Sequence, residues 1–241
     1  MKIIERLKAK ETAPISCRVV SIAFLGDSVT QGCFECETDE NGIFTNTVND
    51  YKASYTEQVR LIFADLFPDV PVSVINAGLS GTAAYQGLER LERDVLSFSP
   101  DLLVVMFGLN DCHQDRGSRA YAADLGRIFD AAKNAGTEVV FITPNMMCTY
   151  RSPLVRGVQL SDISDKLIKA QNDGTFEEYI EAAKEMCRSR NVRVCDYYKL
   201  WKEMAHAGAD TTALLANGIN HPDRRMHRVL AELLVKTIME E

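Results

Sequence analysis

The sequence has no excess of basic residues. Its 27 lysines and arginines are outnumbered by 34 aspartates and glutamates, which gives a formal net charge of -7 at pH 7. Basic residues also form no run of the kind that concentrates positive charge locally. A nucleic-acid partner is normally bound through clustered Lys and Arg that neutralise phosphates. We therefore expect no nucleic-acid partner.

Long apolar runs are also missing. No stretch approaches the roughly 18 apolar residues that a membrane-spanning helix requires. The N-terminal stretch MKIIERLKAKETAPISC carries charges at positions 2, 5, 6, 8, 10 and 11, and these interrupt the apolar core that a secretory signal needs. We expect a cytoplasmic protein that does not associate with membranes. The oligomeric state stays open, a homo-oligomer included.

The cysteines do not have the spacing of a disulfide framework. There are seven of them, so at least one is unpaired, and free thiols in a reducing compartment fit this pattern better than disulfides. Cys33 and Cys36 form one CxxC, while Cys112, His113 and Cys148 follow predicted strands. A zinc site or redox pair built from these residues is the alternative. Because a second CxxC is lacking, we favour free thiols and expect no metal or other cofactor.

Several common enzyme signatures are missing as well. Thr30 stands where a Gly-x-Ser-x-Gly nucleophile elbow would have its second glycine, which disfavours a standard α/β-hydrolase. Neither a P-loop nor a GxGxxG follows the first predicted strand, and HExxH does not occur.

Apolar runs of strand length alternate with segments of helical period. This alternation predicts an α/β fold with a parallel sheet covered on both faces. The predicted strands are Val19–Leu25, Val72–Ala77, Leu102–Phe107, Val139–Thr143 and Val192–Cys195. Helical stripes recur over 55–66, 88–95, 121–132, 176–186 and 226–238, and Pro222 is predicted in the first turn of the last helix. No internal repeat or linker is present, so we expect one domain over 1–241.

Two polar stretches interrupt this alternation, Gln31–Tyr51 and Asn145–Asp162. Loops of this length in a compact domain are usually lids, substrate-binding loops or disordered segments. Both follow predicted strands, so we expect both over the carboxyl edge of the sheet, where open α/β folds bind ligands.

Chemically useful groups follow the predicted strands or precede the last helix. The segments are Gly26-Asp27-Ser28, Asn76-Ala77-Gly78-Leu79-Ser80-Gly81, Gly108-Leu109-Asn110-Asp111 and Asn220-His221-Pro222. They bring to one edge a hydroxyl nucleophile, a base and hydrogen-bond donors, which are the groups that acyl transfer needs.

These four segments, in this order and spacing, resemble the four blocks of the GDSL, or SGNH, hydrolases. The resemblance spans nearly the whole chain and implies a three-layer α/β/α sandwich with a five-stranded, flavodoxin-like parallel sheet. It implies a serine esterase in which Ser28 forms the acyl-enzyme and His221 is the general base. The Ser28 and Gly81 N–H groups and the Asn110 side-chain amide would then form the oxyanion hole.

Each of the four residues assigned to catalysis also has a possible role that is only structural. Ser28 is suited to cap a helix, Gly81 to serve a turn, Asn110 to form an Asx-turn, and His221 to lie in an exposed loop. The four together, at strand and helix ends in family order, favour the catalytic interpretation. Asp27 is expected to stabilise the turn around Ser28.

The chain departs from the family at the third triad member. The usual Asp, three residues before the histidine, is replaced by Gly218. We expect a backbone carbonyl in the turn 217–219 to accept the His221 Nδ1–H, with Asp223 as the second candidate and Asp210 as the third.

The nature of the substrate is less determined. The polar loop Gln31–Tyr51 does not resemble an amphipathic lipid lid, so short acyl groups are expected, such as acetyl on a carbohydrate or other small polar alcohol. Two other functions stay open: an O-acyltransferase on the same fold, and a non-catalytic ligand-binding module with an impaired site.

Overall fold

The computed structural model describes residues 1–240 and has a five-stranded parallel sheet at its centre. The strands of this sheet are β1 (Val20–Gly26), β4 (Val72–Gly78), β5 (Leu102–Met106), β6 (Glu138–Ile142) and β7 (Arg193–Cys195). Their spatial order is β4-β1-β5-β6-β7, with every neighbouring pair parallel. This is the flavodoxin-like order, in which the second strand of the sheet lies outside the first.

Helices cover both faces of this sheet. The longer ones are α1 (Lys2–Thr12), α3 (Tyr55–Leu66), α4 (Ala84–Asp94), α6 (Ser118–Asn134), α7 (Val158–Asn172), α8 (Thr175–Ser189), α9 (Tyr197–His206) and α10 (Arg224–Met239). Helices α3 and α10 pack together, as do α4, α6 and α8. The fold is the expected three-layer α/β/α sandwich. Within residues 1–240, no helix combines the length and apolar character that crossing a bilayer would require.

The five predicted strands are confirmed to within one residue at every end. Strands β1 and β5 are buried along their whole length, which explains why they stand out as continuous apolar runs. The start of the last helix is wrong in the prediction. Helix α10 begins at Arg224, because the Asp223 side chain accepts the Met226 N–H as an N-cap, and Pro222 lies before that cap.

The stretch Gln31–Tyr51 is not a loop but contains an antiparallel hairpin. Its strands are β2 (Cys33–Thr38) and β3 (Phe44–Asn49), which pair only with each other, outside the main sheet. Much of the hairpin is exposed, so its residues are polar and lack the apolar run that identifies a buried strand. Helix α7 takes up the last residues of the other predicted loop, and α1, α7 and α9 are not among the helical stripes predicted from the sequence.

The hairpin tip touches the segment that leads into α7. Gly42 and Gly157 approach so closely that a Cβ on Gly157 would lie 1.7 Å from the Gly42 carbonyl oxygen. Gly157 also has φ of +78°, a conformation that favours glycine. The hairpin and α7 therefore meet on the same side of the molecule.

A buried arginine fixes the carboxyl ends of two neighbouring strands. Arg90 on α4 donates to the Gly26 carbonyl at 2.9 Å and to the Ala77 carbonyl at 2.5 Å. These carbonyls lie at the ends of β1 and β4, where Gly26 and Gly78 are paired in register. Arg90 therefore holds together the carboxyl ends of β1 and β4, from which the segments with Ser28 and Gly81 begin.

Candidate active site

Ser28 lies directly beyond β1 and within hydrogen-bond reach of His221. The short helix α2 (Ser28–Gln31) begins at this serine and is capped by the Asp27 side chain, which accepts the Val29 N–H. The Ser28 Oγ lies 2.9 Å from the His221 Nε2. Both residues are buried, with exposed fractions of 4% and 6%. A hydroxyl and an imidazole 193 positions apart in sequence are therefore in direct contact.

The other ring nitrogen of His221 faces a main-chain carbonyl. Its Nδ1 lies 2.9 Å from the Phe34 oxygen in β2. A carbonyl oxygen only accepts hydrogen bonds, so Nδ1 carries the proton and donates it, while Nε2 is left to accept from the Ser28 hydroxyl. This contact fixes the tautomer that a general base for Ser28 requires.

The carbonyl is not the one predicted. The sequence places the acceptor in the turn 217–219, next to His221 along the chain, whereas the structure places it on the hairpin. The turn instead fixes the backbone before the histidine, because the Asn217 Oδ1 accepts the N–H groups of Ile219, Asn220 and His221. The Ile219 carbonyl accepts the Cys148 N–H at 2.8 Å, and the turn holds the histidine by its main chain.

Neither of the candidate aspartates reaches the imidazole. Asp223 caps α10 and pairs with Arg225 at 2.6 Å. Asp210 accepts the Tyr150 hydroxyl at 2.7 Å and the Ala213 N–H. Both carboxylates thus have other partners, and the structure does not bring either of them to Nδ1.

Burial keeps His221 neutral. Loss of hydration lowers the pKa of its imidazole to about 4, while the hydrogen bond to Phe34 and the nearby charge of Glu35 act weakly in the opposite direction. At neutral pH the ring is therefore unprotonated at Nε2 and is able to take up a proton.

A cavity of about 410 Å³ lies over this pair, and Ser28, Gly81, Asn110 and His221 all line it. Gly81 has φ of +77° in the turn after β4. Within residues 1–240, neither the Ser28 N–H nor the Gly81 N–H donates to another protein group. Both amides are thus available to an oxygen atom bound in the cavity.

The side-chain amide of Asn110 has protein partners. Its Nδ2 donates to the Thr82 carbonyl at 3.0 Å and, at a longer 3.5 Å, to the Asp27 Oδ2. The longer contact is at the limit of hydrogen bonding. A bound oxyanion would replace the weaker of the two partners.

Two buried carboxyl groups lie behind this donor. Burial, with a smaller contribution from the charge of Asp111, raises the pKa of Asp27 to about 7. Burial likewise raises the pKa of Asp111 to about 6, although its Oδ1 accepts the Ala84 N–H. As its place in sequence predicts, Asp27 stabilises the turn around Ser28.

The two long stretches predicted over the carboxyl edge of the sheet do supply much of the cavity wall, although the sequence does not identify the individual wall residues. They come from the hairpin, from the short helix α5 (Leu109–His113) and the residue after it, and from α7. The wall residues are Cys36, Phe44, Thr47, His113, Gln114, Gln159, Leu160, Ile163 and Leu167. A signal for α7 was present, because Leu160, Ile163 and Leu167 recur at helical spacing.

The cysteines and remaining histidines do not gather into one site. Cys33 is buried and donates to the Asn49 side chain, while Cys148 faces Ser164. Burial raises the pKa of the Cys112 thiol to about 12. Among residues 1–240, no three His, Cys, Asp or Glu side chains are arranged to hold a metal ion.

Comparison with known proteins gives concordant matches. The model of the GDSL-like Lipase/Acylhydrolase family matches residues 24–229. An acetylxylan esterase of Geobacillus stearothermophilus is 24% identical over 221 residues, which cover 90% of this chain and 93% of that protein. An arylesterase of Vibrio mimicus is 27% identical over 117 residues, covering 46% of this chain and 56% of that one. The crystal structure of a lipase/acylhydrolase from Enterococcus faecalis superposes with a TM-score of 0.66 at 25% identity, covering 91% and 95% of the two chains.

Proposed function

The chain belongs to the GDSL-like lipase/acylhydrolase family and is a carboxylic ester hydrolase, and on that basis we propose that it works through an acyl-enzyme on Ser28. The observation that supports this most directly is the 2.9 Å contact between Ser28 Oγ and His221 Nε2. The proton on Nδ1 is held by the Phe34 carbonyl, so the pair forms a catalytic dyad. A non-catalytic binding module would have no need of this tautomer.

In the proposed reaction, His221 Nε2 takes the Ser28 hydroxyl proton as Oγ attacks the ester carbonyl carbon. The Ser28 and Gly81 N–H groups and the Asn110 amide hold the resulting oxyanion. Collapse of the tetrahedral intermediate breaks the ester bond, and the imidazolium returns the proton to the departing alcohol. Water, deprotonated in turn by His221, then attacks the acyl-enzyme carbonyl. The bond from the acyl carbon to Ser28 Oγ breaks, the imidazolium returns the proton to Oγ, and the carboxylic acid leaves.

We propose short acyl groups, in particular acetyl on a carbohydrate or other small polar alcohol, as the substrates. The apolar Phe44, Leu160, Ile163, Leu167 and Ile219 line part of the cavity, and polar side chains, among them Thr47, Gln114, Gln159 and Asn220, line the rest. A long acyl chain would remove these groups from water without offering them hydrogen bonds, whereas the hydroxyls of a sugar offer both donors and acceptors. The name of the acetylxylan esterase relative is in keeping with this choice.

A series of p-nitrophenyl esters tests the acyl preference. We expect kcat/KM to be higher on the acetyl ester than on the decanoyl ester by about tenfold or more, the range that pocket contacts with additional methylenes produce. The Ser28→Ala variant, measured in parallel, corrects for spontaneous hydrolysis. Higher kcat/KM on the decanoyl ester would contradict the proposal. Product analysis with a sugar acceptor present would reveal acyl transfer, if that competes with hydrolysis.

The dyad predicts that no aspartate completes a triad. Asp223→Asn and Asp210→Ala should each retain most of kcat, because neither carboxylate contacts His221. Asparagine is chosen at position 223 because it also caps helices well, so folding is preserved. The measurement is kcat on an acetyl ester, with thermal unfolding as a control. A loss of about 10³-fold in either folded variant would mean that a carboxylate reaches the imidazole during turnover.

The pH dependence follows from the buried histidine. Only neutral His221 accepts the Ser28 proton, and its pKa is lowered to about 4, so kcat/KM should fall with a midpoint near pH 4 on the acid side. A solvated histidine would give a midpoint near 6.5 instead. Because Asp27 and Asp111 have their pKa raised to about 7 and about 6, the profile should also be measured in Asp27→Asn and in Asp111→Asn. A midpoint between 6 and 7 that persists in both variants would contradict the prediction.

A further inference from the structure

The strand that supplies the Phe34 carbonyl is not part of the central sheet. Strands β2 and β3 pair only with each other, and an isolated two-stranded hairpin is marginally stable at best. The His221 Nδ1–H nevertheless depends on one oxygen atom of β2. Contacts from outside the hairpin must therefore hold this strand at hydrogen-bond distance from the imidazole.

Arg224 makes such contacts with β2 and with the residue that directly follows β3. Its Nη1 and Nη2 lie 2.6 and 3.2 Å from the two carboxylate oxygens of Glu35, the residue after Phe34. Its Nε donates at 2.9 Å to Asp50, the residue after β3. The guanidinium also lies over the Phe34 ring, 4.4 Å from its centroid. One side chain thus engages Phe34, its neighbour Glu35 and the residue that follows β3.

Arg224 is also closely linked to His221 along the chain. It is the first residue of α10, three positions after the histidine. The helix contributes a second contact, since His227 packs on the Phe34 ring with 4.6 Å between ring centroids. The donor and acceptor of the Nδ1–H bond are therefore both tied to the start of one helix.

We propose that Arg224 is a positioning residue, which holds the Phe34 carbonyl against His221 Nδ1 by binding Glu35 and Asp50. This inference rests on the proposed function, in which His221 is the base. A family member with an aspartate three residues before the histidine has its acceptor on the same loop. Here the acceptor is on a separate hairpin, and the arginine, together with a 3.8 Å contact from Asn217 Nδ2 to the Cys36 Sγ, connects that hairpin to the histidine.

The nature of the contacts favours positioning over global stability. Arg224 and Glu35 are each 42% exposed, and exposed ion pairs contribute little to the free energy of unfolding. A guanidinium that binds one carboxylate through two nitrogens and another through a third restricts geometry more than a single ion pair does. Removing it should therefore disturb the placement of β2 while leaving most of the fold intact.

Arg224→Ala, with Arg225→Ala as the matched control, tests the proposal. Arg225 is the next residue on the same helix, but its guanidinium pairs with Asp223. We expect kcat on an acetyl ester to fall by about 10²-fold in Arg224→Ala, as a displacement of about 1 Å does elsewhere, with KM little changed. Arg224→Lys keeps the positive charge but not the planar guanidinium that binds two carboxylates at once, so its kcat should lie between those of Arg224→Ala and the wild type. Arg225→Ala should resemble the wild type.

Nuclear magnetic resonance of the protein labelled with ¹⁵N-histidine gives a readout that does not depend on turnover. The hydrogen-bonded His221 Nδ1–H should give a downfield proton signal, assigned by its loss in His221→Gln. The signal should disappear or broaden through exchange with water in Arg224→Ala and persist in Arg225→Ala. If Arg224→Ala does not fold, Glu35→Gln and Arg224→Lys should show the same two changes to a smaller extent.

The possible outcomes separate this proposal from the proposed function. Retention of the Nδ1–H signal in Arg224→Ala would overturn the positioning role. This holds both if kcat stays at the wild-type value and if the variant differs from the wild type only by a higher KM. Wild-type turnover in Ser28→Ala would overturn the proposed function instead, while the Nδ1–H signal would still report whether Arg224 holds the hairpin.

Discussion

Replacing either Ser28 or His221 by alanine is expected to lower kcat by about 10⁶-fold, and replacing both should lower it little further. The two side chains act as one unit, because the imidazole acts on the proton that Ser28 gives up. When either is gone, the other has no partner in the reaction. The oxyanion donors and the cavity remain in all three variants, so a residual rate above that of water should persist.

The measurement is kcat on a saturating acetyl ester for both single variants and the double variant. A serine-reactive phosphonate should label the wild type at Ser28, should not label Ser28→Ala, and should label His221→Ala slowly. His206→Ala is a suitable control, since His206 is exposed at the end of α9. Losses that add on a logarithmic scale, or wild-type turnover in Ser28→Ala, would rule out the dyad.

Asn110→Ala should lower kcat by about 10²- to 10³-fold, the usual cost of removing one oxyanion donor. The side chain lines the cavity with Ser28 and Gly81, and its amide has a weak 3.5 Å contact with Asp27 to exchange for the oxyanion. The hydrogen bond from the Asn110 amide stabilises the negative charge that develops in the transition state and not the bound ester. In Asn110→Ala, kcat should therefore fall while KM changes little.

The acyl series distinguishes this role from substrate recognition. An oxyanion forms on every ester, so the loss in Asn110→Ala should be similar for acetyl, butyryl and hexanoyl esters. Asn110→Asp should be at least as slow, because it removes the donor and adds a carboxyl group beside Asp27. A loss confined to one acyl length or one alcohol would show that Asn110 contacts the substrate elsewhere.

Much of the fold could be predicted because its strands are buried on both faces. Residues such as Phe24 and Val104 are fully buried, and a strand of this kind appears as an apolar run bounded by polar residues. The parallel arrangement then brings the segments after the strands to one edge. The meeting of Ser28, Gly81 and Asn110 in one cavity follows from this geometry without any long-range information.

The hairpin and the acceptor for His221 could not be predicted in the same way. Phe34 is itself buried, but it lies in a polar stretch whose strands are mostly half-buried or exposed, so no apolar run or regular alternation marks them. Its role also falls to a carbonyl oxygen, which every residue type possesses. The glycine at 218 indicates that the usual carboxylate is missing, but no side chain marks the atom that takes its place.

A main-chain acceptor changes where harmful mutations are expected. A triad with a carboxylate is disabled by almost any substitution at any one of its three residues. A substitution at position 34, in contrast, replaces the Phe34 side chain and leaves the main-chain carbonyl oxygen in place. In a saturation library, position 34 should tolerate other large apolar residues, while Ser28 and His221 should tolerate none. Loss of activity on substitution should instead be spread over the residues that position the β2 backbone. Selection then acts on the placement of the Phe34 carbonyl oxygen, to which several residues contribute, and not on one side chain.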